Sequence, residues 1–196
     1  MAVIHRQHNI TSEGVTTSET EETATGLDRA LAGLRIAFGF TFLWAFLDKT
    51  FALGFHTGYN QDGVLDRFGD AAWINGGSPT EGFLSFAVPA DNPFKGFFNG
   101  LAGYAVVDWL FMLGLLGIGV TLLLGVGIRI GTAAGALMYA FMYAASVPLE
   151  NNPVVDDHLT GLIVMIVLGL AAVGTTWGFG GQWRRMSLVE KYPVLK

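Results

Sequence analysis

The stretch YAVVDWLFMLGLLGIGVTLLLGVG, Tyr104–Gly127, decides the class of this chain. Asp108 is its one charged side chain, and the rest is apolar or small. A helix needs about 20 mostly apolar residues to cross a bilayer core, and this segment supplies them. Its surroundings repeat the pattern. RALAGLRIAFGFTFLWAFLDKTFALGF predicts a first span over about Asp28–Phe55. RIGTAAGALMYAFMYAASV predicts a third span ending near Val147, and a fourth is expected over about Asp157–Trp177. Of the 196 residues 52% are hydrophobic and 14% charged, with a mean hydropathy of +0.47. A soluble domain of this length carries roughly a quarter charged residues. The apolar residues also come in continuous blocks, not in the short alternating segments of a membrane β-barrel. The expected architecture is therefore an all-α integral membrane protein: a four-transmembrane-helix bundle with a long outer loop carrying short interfacial helices.

Three regions follow. Residues 1–28 are rich in Thr, Ser and Glu, lack an early hydrophobic stretch and read as a disordered cytoplasmic tail. Residues 29–180 form the four-helix membrane domain, with its outer loop at 56–103. Residues 181–196 are a cytoplasmic C-terminal segment. Both termini are expected inside. Arg6, Arg29, Arg129, Arg184, Arg185, Lys191 and Lys196 then fall on the cytoplasmic side, and only Arg67 and Lys95 lie outside. The expected location is the plasma membrane of a prokaryote, which the family resemblance given below implies.

Small residues indicate how the spans meet. Gly117, Thr121 and Gly125 recur every four residues, as do Gly131 and Gly135 beside Ala133, Ala136, Ala140 and Ala144. Such faces let helix backbones approach closely. In the loop, GVLDRFGDAAWI (63–74) puts Leu65, Phe68 and Ala72 on one helical face, which predicts a short interfacial helix. With Phe83, Phe86, Phe94, Phe97 and Phe98 following, the loop is expected to close over the outer mouth as a lid.

Composition excludes several chemistries. Without cysteine there are no disulfides, thiol relays, iron–sulfur clusters or c-type haem attachments. A net charge of −5 with scattered bases offers no basic face for nucleic acid.

The remaining polar groups gather at the outer level of the spans: Asp48, Lys49 and His56 on the first, Asp108 and Trp109 on the second, and Asn152, Asp156, Asp157 and His158 before the fourth. A charge within the membrane costs about 2.5–3.5 kcal/mol on insertion scales, which makes function the default explanation. Each also has a structural explanation. Asp156 or Asp157 can cap the fourth helix. Asp48 and Lys49 can pair with each other, and Arg35 can snorkel to inner headgroups. Trp44 and Trp109 can belong to the interfacial aromatic belt, although Trp44 lies one turn below Asp48 and can wall a pocket. Tyr139 and Tyr143 read as core. In WINGGSPTEGF (73–83), Gly76, Gly77, Ser78 and Thr80 form either a plain turn or an anion-binding nest of backbone N–H groups. A metal site from Asp156, Asp157, His158 and His56 is the weaker reading, because successive residues at a helix start point in different directions, and no metal is expected.

FLWAFLDKTFALGF, WINGGSPTEGF, DWLFMLGLLGIGVTLLLGVGIR and NNPVVDDHL together resemble the DoxX/DoxD family of membrane proteins, and more narrowly the large subunit of the actinobacterial-type thiosulfate:quinone oxidoreductase, over about Arg29–Gly180. The resemblance implies oxidation of thiosulfate to tetrathionate, with a membrane quinone as electron acceptor and no covalently bound cofactor. It also implies a second redox subunit or a respiratory complex as partner. On that reading His158, Asp48, Lys49 and Asp108 are the catalytic candidates. Imidazole titrates nearest neutrality and suits a proton donor. Asp48 and Asp108 would relay protons, and Lys49 would hold a substrate anion. Trp44, Trp109, His56, Gly76, Gly77, Ser78, Thr80, Asn152 and Asp157 would line the substrate and quinone sites. Against it, Asp62, Asp66, Asp70, Glu81, Asp91, Glu150, Asp156 and Asp157 face only Arg67 and Lys95 on the outer side, a field that repels a dianion. The competing expectation is a non-catalytic accessory subunit of a respiratory-chain complex.

Overall fold

The structure is a computed structural model that describes residues 25–59 and 62–195, so the tail expected at 1–28 lies almost wholly outside it. Four helices of the bundle are α1 (Gly26–Phe51), α3 (Ala105–Leu124), α4 (Ile128–Ser146) and α5 (Asp157–Ala171), with the short α2 (Lys95–Asn99) in the long loop. The short helices α6 (Gly180–Arg184) and α7 (Ser187–Lys191) follow. The described residues hold no strand, only an isolated bridge between Tyr59 and Leu65. Helices α1, α3 and α4 are long and apolar enough to cross a membrane, whereas α5 is shorter, with 15 residues.

Each helix starts and stops for a local reason. At α1 a capping box closes the N-terminus: Thr25 Oγ1 accepts from Asp28 N–H while the Asp28 carboxylate accepts from Thr25 N–H at 2.8 Å. Gly125 at φ +72° ends α3, and Ala172 at φ +49° ends α5. The fourth helix therefore stops well short of Trp177, where apolar periodicity alone would have carried it.

Packing is pairwise. α1 lies on α3, α4 on α5, and α3 joins the pairs through a sparser contact with α4. Glycines set the separations. A Cβ at Gly119 would stand 2.8 Å from Leu43 N, and one at Gly39 would stand 2.9 Å from Leu123 N, so α1 and α3 meet backbone to backbone. Gly135 faces Met165, Gly161 lies under the Tyr139 ring, and Gly131 meets Thr121. Gly117 faces open space, and the Gly39–Gly119 contact was not among the small residues singled out from the sequence.

Arg35 departs from expectation. Its side chain does not snorkel: it is 0% exposed. The guanidinium donates to the carbonyls of Leu122 and Leu123, and to those of Thr176 at 3.1 Å and Trp177 at 2.9 Å. The Leu122 and Leu123 carbonyls lie in the last turn of α3, where the helix dipole is negative, so a cation is stabilised without a carboxylate. One side chain thus ties α1 to α3 and to the segment after α5.

The loop is folded, but not as expected. Residues 63–72 form no helix. Phe68 sits at φ +59° and its N–H bonds Phe51 O, while Arg67 Nε donates to Leu53 O, so the chain doubles back on the end of α1. Helical turns fall instead at Trp73–Asn75, Phe83–Ala87 and α2. Asn92 caps α4 by donating to the carbonyls of Ala144, Ala145 and Val147. Leu84, Val88, Phe98 and Ala145 form a second small core under the loop.

Candidate functional site

The polar residues at the acidic end of the bundle separate into three groups. The first is Asp48, which is 2% exposed. Its carboxylate accepts from the backbone N–H groups of Phe55 (3.1 Å), His56 (2.9 Å) and Thr57 (3.0 Å). These donors belong to the turn that leaves α1 after Ala52. Asp48 therefore spends its acceptor capacity on closing that turn.

The second is Asp108, in the first turn of α3 and 7% exposed. Its Oδ1 accepts from Ser78 Oγ at 2.9 Å, Thr80 N at 3.2 Å and Thr80 Oγ1 at 2.6 Å. The Gly76 and Gly77 N–H groups close the preceding turn on Trp73 O and Ala72 O. The anion received by the glycine–serine–threonine turn is thus the protein's own carboxylate. Trp109 packs edge to face on Trp73 with ring centroids 4.7 Å apart and helps hold this loop on α3.

The third group opens α5. Asp156 is the N-cap: Oδ1 accepts from Leu159 N at 2.8 Å, and Oδ2 lies 2.6 Å from His158 Nδ1. Asn152 Oδ1 accepts from Val154 N and Val155 N, and Asp157 is exposed. The segment 150–164 is thus chiefly a built helix start. Burial pushes the Asp156 carboxyl up, but the hydrogen bonds from Leu159 N–H and His158 outweigh it and hold it below the usual carboxylate range. A lowered folded-state value stabilises above the unfolded value and is lost as pH falls through the folded one. Thermal stability should therefore drop as the medium is acidified below about pH 4, and Asp156→Asn should flatten that drop; equal acid sensitivity in both proteins would contradict the assignment.

Lys49 adjoins Asp48 on α1, shares a cavity with it and lies within reach of its charge. Among the described residues its ammonium has no hydrogen bond and no ion pair. It borders two cavities. One, of about 330 Å³, lies on the outer face of α1 against Trp44, Thr41, Asp48 and His56. Trp44 is fixed there by stacking on Phe40 (5.9 Å) and by an edge contact to Phe55 (5.0 Å). The other is a groove of about 600 Å³ between α3 and α4, roofed by the loop. Leu110 and Phe111 form one wall, Met138 and Phe141 the other, and Phe83 and Phe98 the roof. Lys49 and Thr80 are the polar side chains in its lining, and Thr80 already donates its hydroxyl to Asp108.

His158, Asn152 and Asp157 border neither cavity, nor does Trp109. The expected convergence of Lys49 and His158 on one gap is not what the structure holds. Tyr139 packs beside His158, with its ring centroid 6.5 Å from the imidazole and 5.4 Å from Phe42. The described residues contain no cluster of three His, Asp or Glu side chains suited to a metal. The groove itself escaped sequence reasoning; small residues on its two walls, Gly114 and Ala134, were its available signal. Comparison of the chain with protein-family models, with curated proteins and with solved structures gives no match.

Proposed function

We propose that the apolar groove between α3 and α4 receives a membrane quinone, and that the protein is a membrane oxidoreductase, or the membrane subunit of one, passing electrons from a sulfur compound such as thiosulfate to that quinone. The observation that carries the reading is the groove itself: about 600 Å³, apolar except for Lys49 and Thr80 in its lining. That size and lining suit a small amphiphile held by a few polar groups. Leu110 and Leu137 at its rim are more than half exposed, and Phe141 is 50% exposed, so the groove opens sideways, where a ligand dissolved in lipid would enter. Lys49 donates a hydrogen bond to a quinone carbonyl oxygen and favours negative charge there, while the aromatic roof excludes water. Joining two thiosulfates through a new S–S bond releases two electrons; a quinone takes up two electrons and two protons to become a quinol. The resemblance to the DoxX/DoxD family supports the sulfur donor. In this reading α5 is a fourth span, both termini are cytoplasmic and the membrane is the plasma membrane of a prokaryote. The positive-inside distribution of Arg29, Arg129, Arg184, Arg185 and Lys191 supports that orientation.

The test is quinol formation by the purified chain in lipid with a short-tailed quinone and thiosulfate. Lys49→Met should weaken quinone binding roughly tenfold or more, the loss of one hydrogen bond from a charged donor. Gly114→Leu should block the groove, since a Cβ there would stand 2.6 Å from Met138 Cε. Quinone binding untouched by both substitutions would refute the groove as the site. A second reading, a non-catalytic accessory subunit, draws on the rings the loop exposes, above all Phe86 at 87%. It predicts no turnover by the chain alone and co-purification with a cytochrome complex that Phe86→Ser abolishes.

A further inference from the structure

The last turns of the chain form a folded platform at the end of the bundle opposite the groove. Arg184 Nη2 donates to Ala172 O at 3.0 Å, Trp183 Nε1 to Leu195 O at 2.6 Å and Arg129 Nη1 to Pro193 O at 3.3 Å. Phe179 N–H bonds Leu124 O, and Val189 is fully buried, so α6 and α7 are fixed against the α3–α4 turn. The outward face combines two features. Trp177, Phe179, Leu188 and Val194 are each more than half exposed. Arg185 and Lys191 are exposed among them, and Arg29 and Arg129 are exposed at the same end. Leu188, Lys191 and Tyr192 share one face of α7 by their spacing. Among the described residues the acidic groups at this end are Glu190 and Asp28, the latter already engaged by Thr25.

We propose that this platform is a binding surface for anionic phospholipid, lying in the plane of the bilayer interface with its rings among the acyl chains and its bases on the phosphates. Charge complementarity selects the occupant. The platform's height is set by Arg35, which binds Leu122 and Leu123 at the end of α3 and Thr176 and Trp177 at the start of the platform, so its exposed rings sit where the spans leave the hydrocarbon. Basic, aromatic-bearing segments at that level bind anionic leaflets. The inference stands independently of the quinone reading.

The experiment uses the full chain in detergent, with phosphatidylglycerol, phosphatidylcholine or inorganic phosphate added stepwise. Thermal stability and retained lipid, counted by native mass spectrometry, are the readouts. Phosphatidylglycerol should be retained and should raise the melting temperature; phosphatidylcholine should do neither. Each base near an anionic surface contributes about a fivefold gain in affinity, so Arg185→Gln with Lys191→Gln should bind phosphatidylglycerol roughly 30-fold more weakly. High salt on the wild-type chain should act in the same direction, which keeps the test valid should the variant fold poorly. Equal retention of the two lipids, undiminished binding by the variant, or protection by inorganic phosphate alone would each overturn the proposal.

Discussion

Arg35→Met should lower the thermal unfolding temperature by on the order of 10 °C, the largest effect expected of a single substitution in this chain. Arg35 is wholly buried and donates to four backbone carbonyls from two separate segments. Methionine fills much of the same volume but leaves those carbonyls without donors. Breaking a buried charged network in this way costs about 3–5 kcal/mol, and each kcal/mol moves the midpoint by roughly 2–4 °C at this chain length. Arg35→Lys discriminates further. An ammonium is a point donor and cannot span two pairs of carbonyls as a planar guanidinium does, so it should recover less than half of the loss. A methionine variant melting within 2 °C of wild type would show that the carbonyls find water and that the cage contributes little.

Asp48→Ala should act at the opposite end, destabilising by about 2–4 kcal/mol, because three backbone N–H groups lose their acceptor together. Hydrogen exchange reads this directly. The amides of Phe55, His56 and Thr57 should be protected in the wild-type chain and should exchange at least tenfold faster in the variant. Asp48→Asn keeps one acceptor oxygen and should fall between the two. Unchanged protection at those amides would remove the structural role. A loss of quinol formation in Asp48→Asn with the amides still protected would instead assign the carboxylate to proton transfer.

Much of the helical layout was legible because its signal is local. Apolar blocks around Phe42, Leu115 and Ala136 exceed what any soluble helix requires, and Asp156 before an apolar run announces a helix start. The turn at 63–72 was not legible. Its apolar spacing fits a helix, but Phe68 at positive φ and the pull of Phe51 O and Leu53 O on the doubled-back chain override it. The polar residues illustrate the harder limit. Sequence places Asp48, Lys49, Asp108 and His158 at one depth, yet depth is not azimuth. Asp48 and Asp108 turned out to serve nearby loops, which depends on where residues 55–57 and 78–80 return. Lys49 makes no ion pair among the described residues, while its neighbour's carboxylate accepts from three backbone donors. Arg35 reads as a snorkelling side chain and Asn92 carries no signal for the same reason: their partners are main-chain oxygens, which every residue carries and no motif marks.

The way the glycines distribute contact has a mechanical consequence. Gly39 and Gly119 weld α1 to α3, while Gly135, Gly161 and Gly169 seat α4 and α5 on each other through Met165, Tyr139 and Thr132. The protein is thus two closely packed pairs, α1–α3 and α4–α5, joined by a sparser contact between α3 and α4, and the groove runs along that seam. If the proposed quinone enters from the lipid, widening this seam would disturb the glycine contacts inside neither pair.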